Sequence, residues 1–144
     1  MSGTLIVIEG LDGSGKGTQA QLLAENLTRK GHSVRKISFP DYASDSSALV
    51  KMYLGGEFGT RPSDVNAYAA SAFYAVDRYA SFKKVWGQWY DDGGLIVSDR
   101  YTTSNAVHQA SKEPVEKQPA FLKWLYDFEY DKLGLPKPSG VIYL

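Results

Sequence analysis

Short runs that are apolar at nearly every position alternate along this chain with longer stretches that are apolar on one helical face only. Thr4–Ile8 is β-branched and apolar, the pattern of a strand buried on both faces. Thr18–Lys30 carries Ala20, Leu23 and Leu27 at helical spacing and predicts a helix that Gly31 stops. Val34–Phe39 predicts a second strand, closed by Pro40 and the polar stretch Asp41–Ser47. Ala48–Leu54 predicts a short helix ended by Gly55-Gly56. Ser63-Asp64 offers an N-cap for a long helix reaching about Tyr90, with Val65, Ala69, Ala72, Phe73, Val76 and Ala80 as its apolar line. After the Asp91–Gly94 break, Leu95–Ser98 predicts a third buried strand with Asp99 at its C-terminal end. Helices near Thr103–Ala110 and Val115–Leu133, separated by Pro114, lead through the loop Gly134–Ser139 to a fourth apolar run, Gly140–Leu144, with the composition of a central strand. Strands alternating with helices imply an α/β fold, a parallel sheet with helices on both faces.

Composition narrows the function classes. The 144 residues suit a single domain spanning 1–144, and 16 basic against 16 acidic side chains give zero net charge, with no basic excess to hold nucleic acid. The absence of cysteine excludes a disulfide framework, thiolate metal ligands and a cysteine nucleophile, and an intracellular protein is the simpler expectation. Leu5–Ile8 is too short for a signal-peptide core or a membrane span, so no membrane partner is expected. The chain stops inside an apolar run without a polar tail, which leads to the expectation that it is truncated after its fourth strand.

Three constellations carry chemistry. Gly10-Leu11-Asp12-Gly13-Ser14-Gly15-Lys16 fits G-x-x-x-x-G-K between a strand and a helix. Its glycines let backbone N–H groups cradle a phosphate, the helix N-terminus adds positive potential, and Lys16 adds a mobile charge. Gly17 replaces the usual Ser/Thr that holds Mg²⁺, leaving the hydroxyl of Thr18 or a shell of waters to substitute. Asp99-Arg100-Tyr101 follows strand three, where open α/β sheets bind ligands. An acid there can hold the waters of Mg²⁺, and an arginine can clamp a phosphate. On the long helix, Tyr74 and Arg78 share a face flanked by Ala67, Ala70 and Ser71, so a ring and a guanidinium could meet a nucleobase. By periodicity alone, Tyr74 is core and Arg78 pairs with Asp77 or a glutamate at the surface. The aromatic residues Trp86, Trp89, Tyr90, Trp124, Tyr126, Phe128 and Tyr130 read as helix packing or a subunit interface.

Ile8–Lys16, Phe39-Pro40, Tyr74–Arg78 and Asp99–Asn105, in that order, with the Gly55–Gly59 loop and Gly134–Pro138, resemble the thymidylate kinase family over essentially the whole chain. The resemblance implies a P-loop nucleoside-monophosphate-kinase-like fold, with transfer of the ATP γ-phosphoryl group to dTMP. It implies that Gly10, Gly13, Ser14, Gly15, Lys16, Gly17 and Thr18 hold the ATP phosphates, and that Asp99 with Thr18 supports Mg²⁺. It assigns Lys16, Asp12 and Arg100 to catalysis, Asp12 at the sugar hydroxyl or acceptor phosphate and Arg100 on the dTMP phosphate. Phe39 and Ser104 line the substrate site, Tyr74 replaces a phenylalanine stacked on thymine, Arg78 donates to thymine O4, and Asn105 faces N3 with Gln109 nearby. A homodimeric cytoplasmic enzyme of dTTP biosynthesis is implied as well.

The match has departures. Gly17-Thr18 is the form seen in adenylate kinases, Asp41-Tyr42 stand where many members carry an arginine, and His108 replaces a tyrosine near the deoxyribose. With Gly13 in the loop, the resemblance places compensating arginines in a lid after Leu144. A kinase for another nucleoside monophosphate, or a silent nucleotide-binding module, are the competing expectations.

Overall fold

The computed structural model describes residues 2–144. Four strands form one parallel sheet: β1 (Thr4–Glu9), β2 (Val34–Ser38), β3 (Leu95–Asp99) and β4 (Gly140–Tyr143), in spatial order β2-β3-β1-β4. The helices are α1 (Lys16–Arg29), α2 (Ala48–Leu54), α3 (Ala67–Ser81), α4 (Gly87–Asp91), α5 (Thr102–Ala110) and α6 (Gln118–Tyr126). Wider π-helical turns, Phe82–Trp86 and Asp127–Lys132, continue α3 and α6. Among the described residues, no helix is long and apolar enough to cross a membrane.

The chain divides into two compact units. The first comprises the residues through Phe39 together with Ser81–Tyr101 and Pro136–Leu144, and holds the sheet. β1 and β3 run side by side, with Ile6 opposite Val97 and Ile8 opposite Asp99. Ile8 and Val97 face α1 through Ala20, with Leu23, Ala24, Leu27 and Val34 completing that cluster. Leu5, Val7 and Ile96 point the other way and are also fully buried, so both faces of the sheet centre are covered. Each large apolar side chain removed from water there contributes about 1.5–3 kcal/mol. The chain leaves β1 toward β2 on one side and reaches β4 on the other, which puts the topological switch point between β1 and β3.

β4 pairs with β1, and all four of its residues are exposed. One expectation about helix capping needs correction. The N-cap of α3 is Asn66, whose Oδ1 accepts from the Ala69 amide at 2.9 Å; Ser63 and Asp64 belong instead to the 3₁₀ turn Pro62–Asp64.

The second unit comprises Pro40–Ala80 and Thr102–Leu135. Its apolar core is built from Ala67 of α3, Ala106 and Ala110 of α5, and Phe121 and Leu125 of α6. The buried face of α3 is Ala67, Ala70, Ser71, Ala75 and Arg78, whereas Val76 of the expected apolar line is 40% exposed. Small residues let neighbouring helices approach closely, and the burial of polar Ser71 and Arg78 on this face is what the hydrophobic line misses.

Candidate nucleotide site

The loop after β1 is shaped by conformation more than by crowding. Gly13 and Gly15 have φ of +81° and +89°, a region that side-chain-bearing residues seldom occupy, yet a Cβ at either would meet nothing within 4 Å. The concavity above them is open, as a backbone cradle for a phosphate requires. Gly10 is closed in by Ser14, whose Oγ would lie 2.6 Å from an added Cβ, and the Ser14 amide bonds the Leu11 carbonyl at 3.1 Å. Gly15 caps α1, so its first-turn N–H groups face the loop, and Lys16 opens the helix with its side chain largely covered.

β3 delivers its own groups alongside. Lys16 Nζ lies 3.7 Å from Asp12 Oδ1 and 4.0 Å from Asp99 Oδ1, and the Arg100 guanidinium pairs with Asp12. Two cations therefore converge on the exposed Asp12 carboxylate, the kind of double positive charge that a phosphate oxygen would satisfy. Arg100 has φ +69°, the one described residue other than glycine in the left-handed region. An L-residue there costs about 1–2 kcal/mol. Its amide is tied to Ile8 O at 3.0 Å, and its carbonyl accepts from Ser98 Oγ at 2.6 Å. Strain held this firmly at a strand end turns the guanidinium back toward the loop.

Position 17 also acquires a reason. A Cβ there would sit 3.5 Å from Asp99 Oδ2, so Gly17 faces the Asp99 carboxylate directly. Thr18 is exposed on α1. Asp99 Oδ1 is buried without a hydrogen bond, and its nearest cation is Lys16. Among the described residues no group of three or more His, Cys, Asp or Glu is placed so as to hold a metal ion. One carboxylate beside a phosphate loop fits Mg²⁺, which keeps several waters and is shared with substrate phosphates. Phe39, an expected substrate contact, is buried with its ring tilted against Tyr101 at 5.9 Å. Tyr101 is itself anchored through its hydroxyl to Pro136 O.

The second unit gathers the remaining expected residues. Arg78 is 2% exposed and donates from Nε to Glu129 Oε1 at 2.7 Å, with Nη2 bonded to the same oxygen. Its partner is thus a buried glutamate, in place of Asp77 or a surface glutamate. Asp77 instead accepts from the Asp41 amide at 2.8 Å and Ser46 Oγ at 2.6 Å, pinning the loop after Pro40. Asn105 Nδ2 donates to Ser71 O at 3.1 Å. Four buried polar atoms of this group lack a hydrogen-bond partner: Ser71 Oγ, Asn105 Oδ1, Gln109 Oε1 and Glu129 Oε2. Unsatisfied polar atoms are costly in an interior, and their concentration on α3, α5 and the turn after α6 sets this cluster apart from the apolar core beside it.

Tyr74 is half-buried, edge-on to Tyr53 at 6.3 Å, and Ser104 is half-buried on α5. His108 lies on the exposed side of α5. Burial pushes the Glu129 carboxyl above its usual range, with the Arg78 charge opposing that shift. Tyr130, bonded to Thr102 Oγ1, is pushed up to about 12, chiefly by burial. The expected aromatic residues pack among themselves: Trp86 is fully buried, and Trp124 stacks on Phe128.

Glu129 is the residue that sequence reasoning missed. Its signal was present: Phe121, Leu125 and Glu129 recur every fourth residue, and an acid on a buried stripe needs a buried cation.

Comparison with known proteins gives a consistent picture. The family model described as Thymidylate kinase matches residues 8–144. The thymidylate kinase of Mycobacterium tuberculosis is 34% identical over 143 residues, covering 97% of this chain and 64% of the relative. The human thymidylate kinase is 30% identical over 142 residues, covering 99% of this chain and 60% of the relative. A solved structure of thymidylate kinase from Candida albicans superposes with a TM-score of 0.73 at 27% identity, over 99% of this chain and 63% of that one. The chain therefore spans 60–64% of the length of these relatives.

Proposed function

The chain belongs to the thymidylate kinase family, and from that premise we propose that it carries the phosphate-handling and base-reading parts of an enzyme that phosphorylates dTMP with ATP. The observation that carries the reading is the pairing of an open phosphate loop with Lys16, Asp99 and Arg100 at the C-terminal ends of adjacent parallel strands.

A dTMP phosphate oxygen attacks the γ-phosphorus of ATP as the bond to the β,γ-bridging oxygen breaks, giving dTDP and ADP. No covalent protein intermediate is needed, and the work is positioning and charge neutralisation. Backbone N–H groups of Gly13–Thr18 and the Lys16 ammonium hold the ATP phosphates. Arg100 moves from Asp12 to the acceptor phosphate, leaving Asp12 to accept from the nucleotide sugar. Asp99 and the Thr18 hydroxyl would hold Mg²⁺, which supplies charge neutralisation on the phosphates. Arg78 donates to thymine O4, Asn105 Oδ1 and Gln109 Oε1 offer acceptors for N3–H, and Tyr74 stacks on the ring. The unpartnered buried Asn105 Oδ1 and Gln109 Oε1 support this assignment. Family membership supports the finer expectations of MgATP as donor, a homodimer and a cytoplasmic place in dTTP biosynthesis.

The test is a panel of dTMP, dUMP, AMP, CMP and GMP with ATP, read as ADP release. Release with dTMP well above the others is the expected result. A stronger response to AMP, CMP or GMP overturns the base assignment, and ATP binding with no acceptor-dependent release makes the chain a binding module.

A further inference from the structure

The Arg78–Glu129 pair is arranged in a way that a purely structural ion pair would not need. Both Arg78 Nε and Nη2 go to Oε1, while Oε2 makes no hydrogen bond. A pair selected for stability alone gains most from the parallel two-oxygen fork, and an apolar pair of equal volume is often as stable as a buried ion pair. Instead, one carboxylate oxygen grips one edge of the guanidinium. The surrounding bare acceptors, Asn105 Oδ1 and Gln109 Oε1, lie on one face of α5. Asn105 donates through Nδ2 to Ser71 O on α3, the helix that carries Arg78. The arginine expected to donate to the base is thus tied to Glu129.

The local chain geometry supports this. Glu129 lies in the π-helical turn Asp127–Lys132, a wider turn of a kind often found at functional sites, and its carbonyl accepts from the Leu135 amide at 3.0 Å. That second tie fixes the backbone from which the carboxylate projects.

We infer that Glu129 is a positioning residue for nucleobase recognition, holding Arg78 in the orientation in which it meets the base. The inference rests on the reading of Arg78 as a base contact. Glu129 itself need not touch the nucleotide. It restricts a long, flexible cation before the ligand arrives, so that less freedom is lost on binding.

The experiment is calorimetric titration of the full chain with dTMP and with deoxyribose 5-phosphate, which keeps the sugar phosphate and lacks the base. Wild type is compared with Glu129→Gln, Glu129→Asp and Arg78→Ala, with a melting curve for each. Glu129→Gln raises the dTMP dissociation constant about ten-fold, the worth of weakening a charged hydrogen bond, and leaves deoxyribose 5-phosphate unchanged. Glu129→Asp, which keeps the charge on a shorter arm, falls between. Should Glu129→Gln fail to fold, Glu129→Asp is judged by the same split between ligands. Equal losses for both ligands, or wild-type dTMP affinity in the glutamine variant while Arg78→Ala binds dTMP weakly, overturn the inference alone. Wild-type dTMP affinity in Arg78→Ala overturns the base reading and the inference with it.

Discussion

Two arginine–carboxylate pairs in this chain use the same chemistry in opposite surroundings. Arg100 and Asp12 have side chains 19% and 93% exposed, whereas Arg78 and Glu129 are 2% and 0% exposed. The first pair sits in high dielectric and is cheap to break, since exposed pairs contribute about 0–1 kcal/mol. That suits the proposed role of Arg100, in which it exchanges its carboxylate for a phosphate. The second pair cannot be opened cheaply, because a lone buried charge has no water to turn to. That suits a group which must keep one orientation. Exposure thus separates an arginine that is free to change partner from one that is held.

The largest difference between the pairs appears on truncation. Glu129→Ala strands a buried guanidinium and costs about 3–5 kcal/mol of unfolding free energy, whereas Asp12→Ala costs at most about 1 kcal/mol. Urea unfolding of both variants checks this, and similar losses erase the contrast.

Next in size is Lys16→Ala. It lowers dTMP-dependent turnover about 10²–10³-fold, as loss of one preorganised charge donor does. Its unfolding curve stays within about 0.5 kcal/mol of wild type. Steady-state rates within about three-fold of wild type remove Lys16 from the chemistry.

Arg100→Gly sharpens the comparison from the strained side. Releasing the left-handed arginine gains about 1–2 kcal/mol, offset by about 0.5–1 kcal/mol for the freer unfolded chain. A slightly more stable protein that binds the acceptor phosphate poorly is expected from urea unfolding and dTMP titration. A clear loss of stability would mean that the arginine is not strained there.

The smallest effect concerns pH in the buried region. Tyr130 ionises near 12 in the folded chain, above its ordinary value of 10.0, so the unfolded state loses its proton first. The stability contributed by this shift is complete below pH 10 and falls as pH rises toward 12. Tyr130→Phe flattens that decline in a pH series of melting temperatures; an unchanged slope assigns it to other groups.

The same contrast explains what could be read from the sequence. The phosphate loop was legible because Gly13, Gly15 and Lys16 are neighbours in the chain and their geometry is local. Asp99 and Arg100 followed from the rule that ligands gather beyond parallel strand ends. Arg78 and Glu129 lie 51 residues apart, and only packing joins them. The stripe on α3 was misread because alanines and a serine supply its buried face while Val76 points outward. The apolar run Gly140–Leu144 was legible as a strand, whereas its place beside β1 depends on contacts that composition does not encode.

The division of labour between the two regions is tested most directly by titrating ATP and dTMP separately into Lys16→Ala and Arg78→Ala. The account predicts a double dissociation: Lys16→Ala weakens ATP and largely spares dTMP, and Arg78→Ala weakens dTMP by about 1.5–3 kcal/mol and spares ATP. Equal losses of both nucleotides in either variant would contradict it.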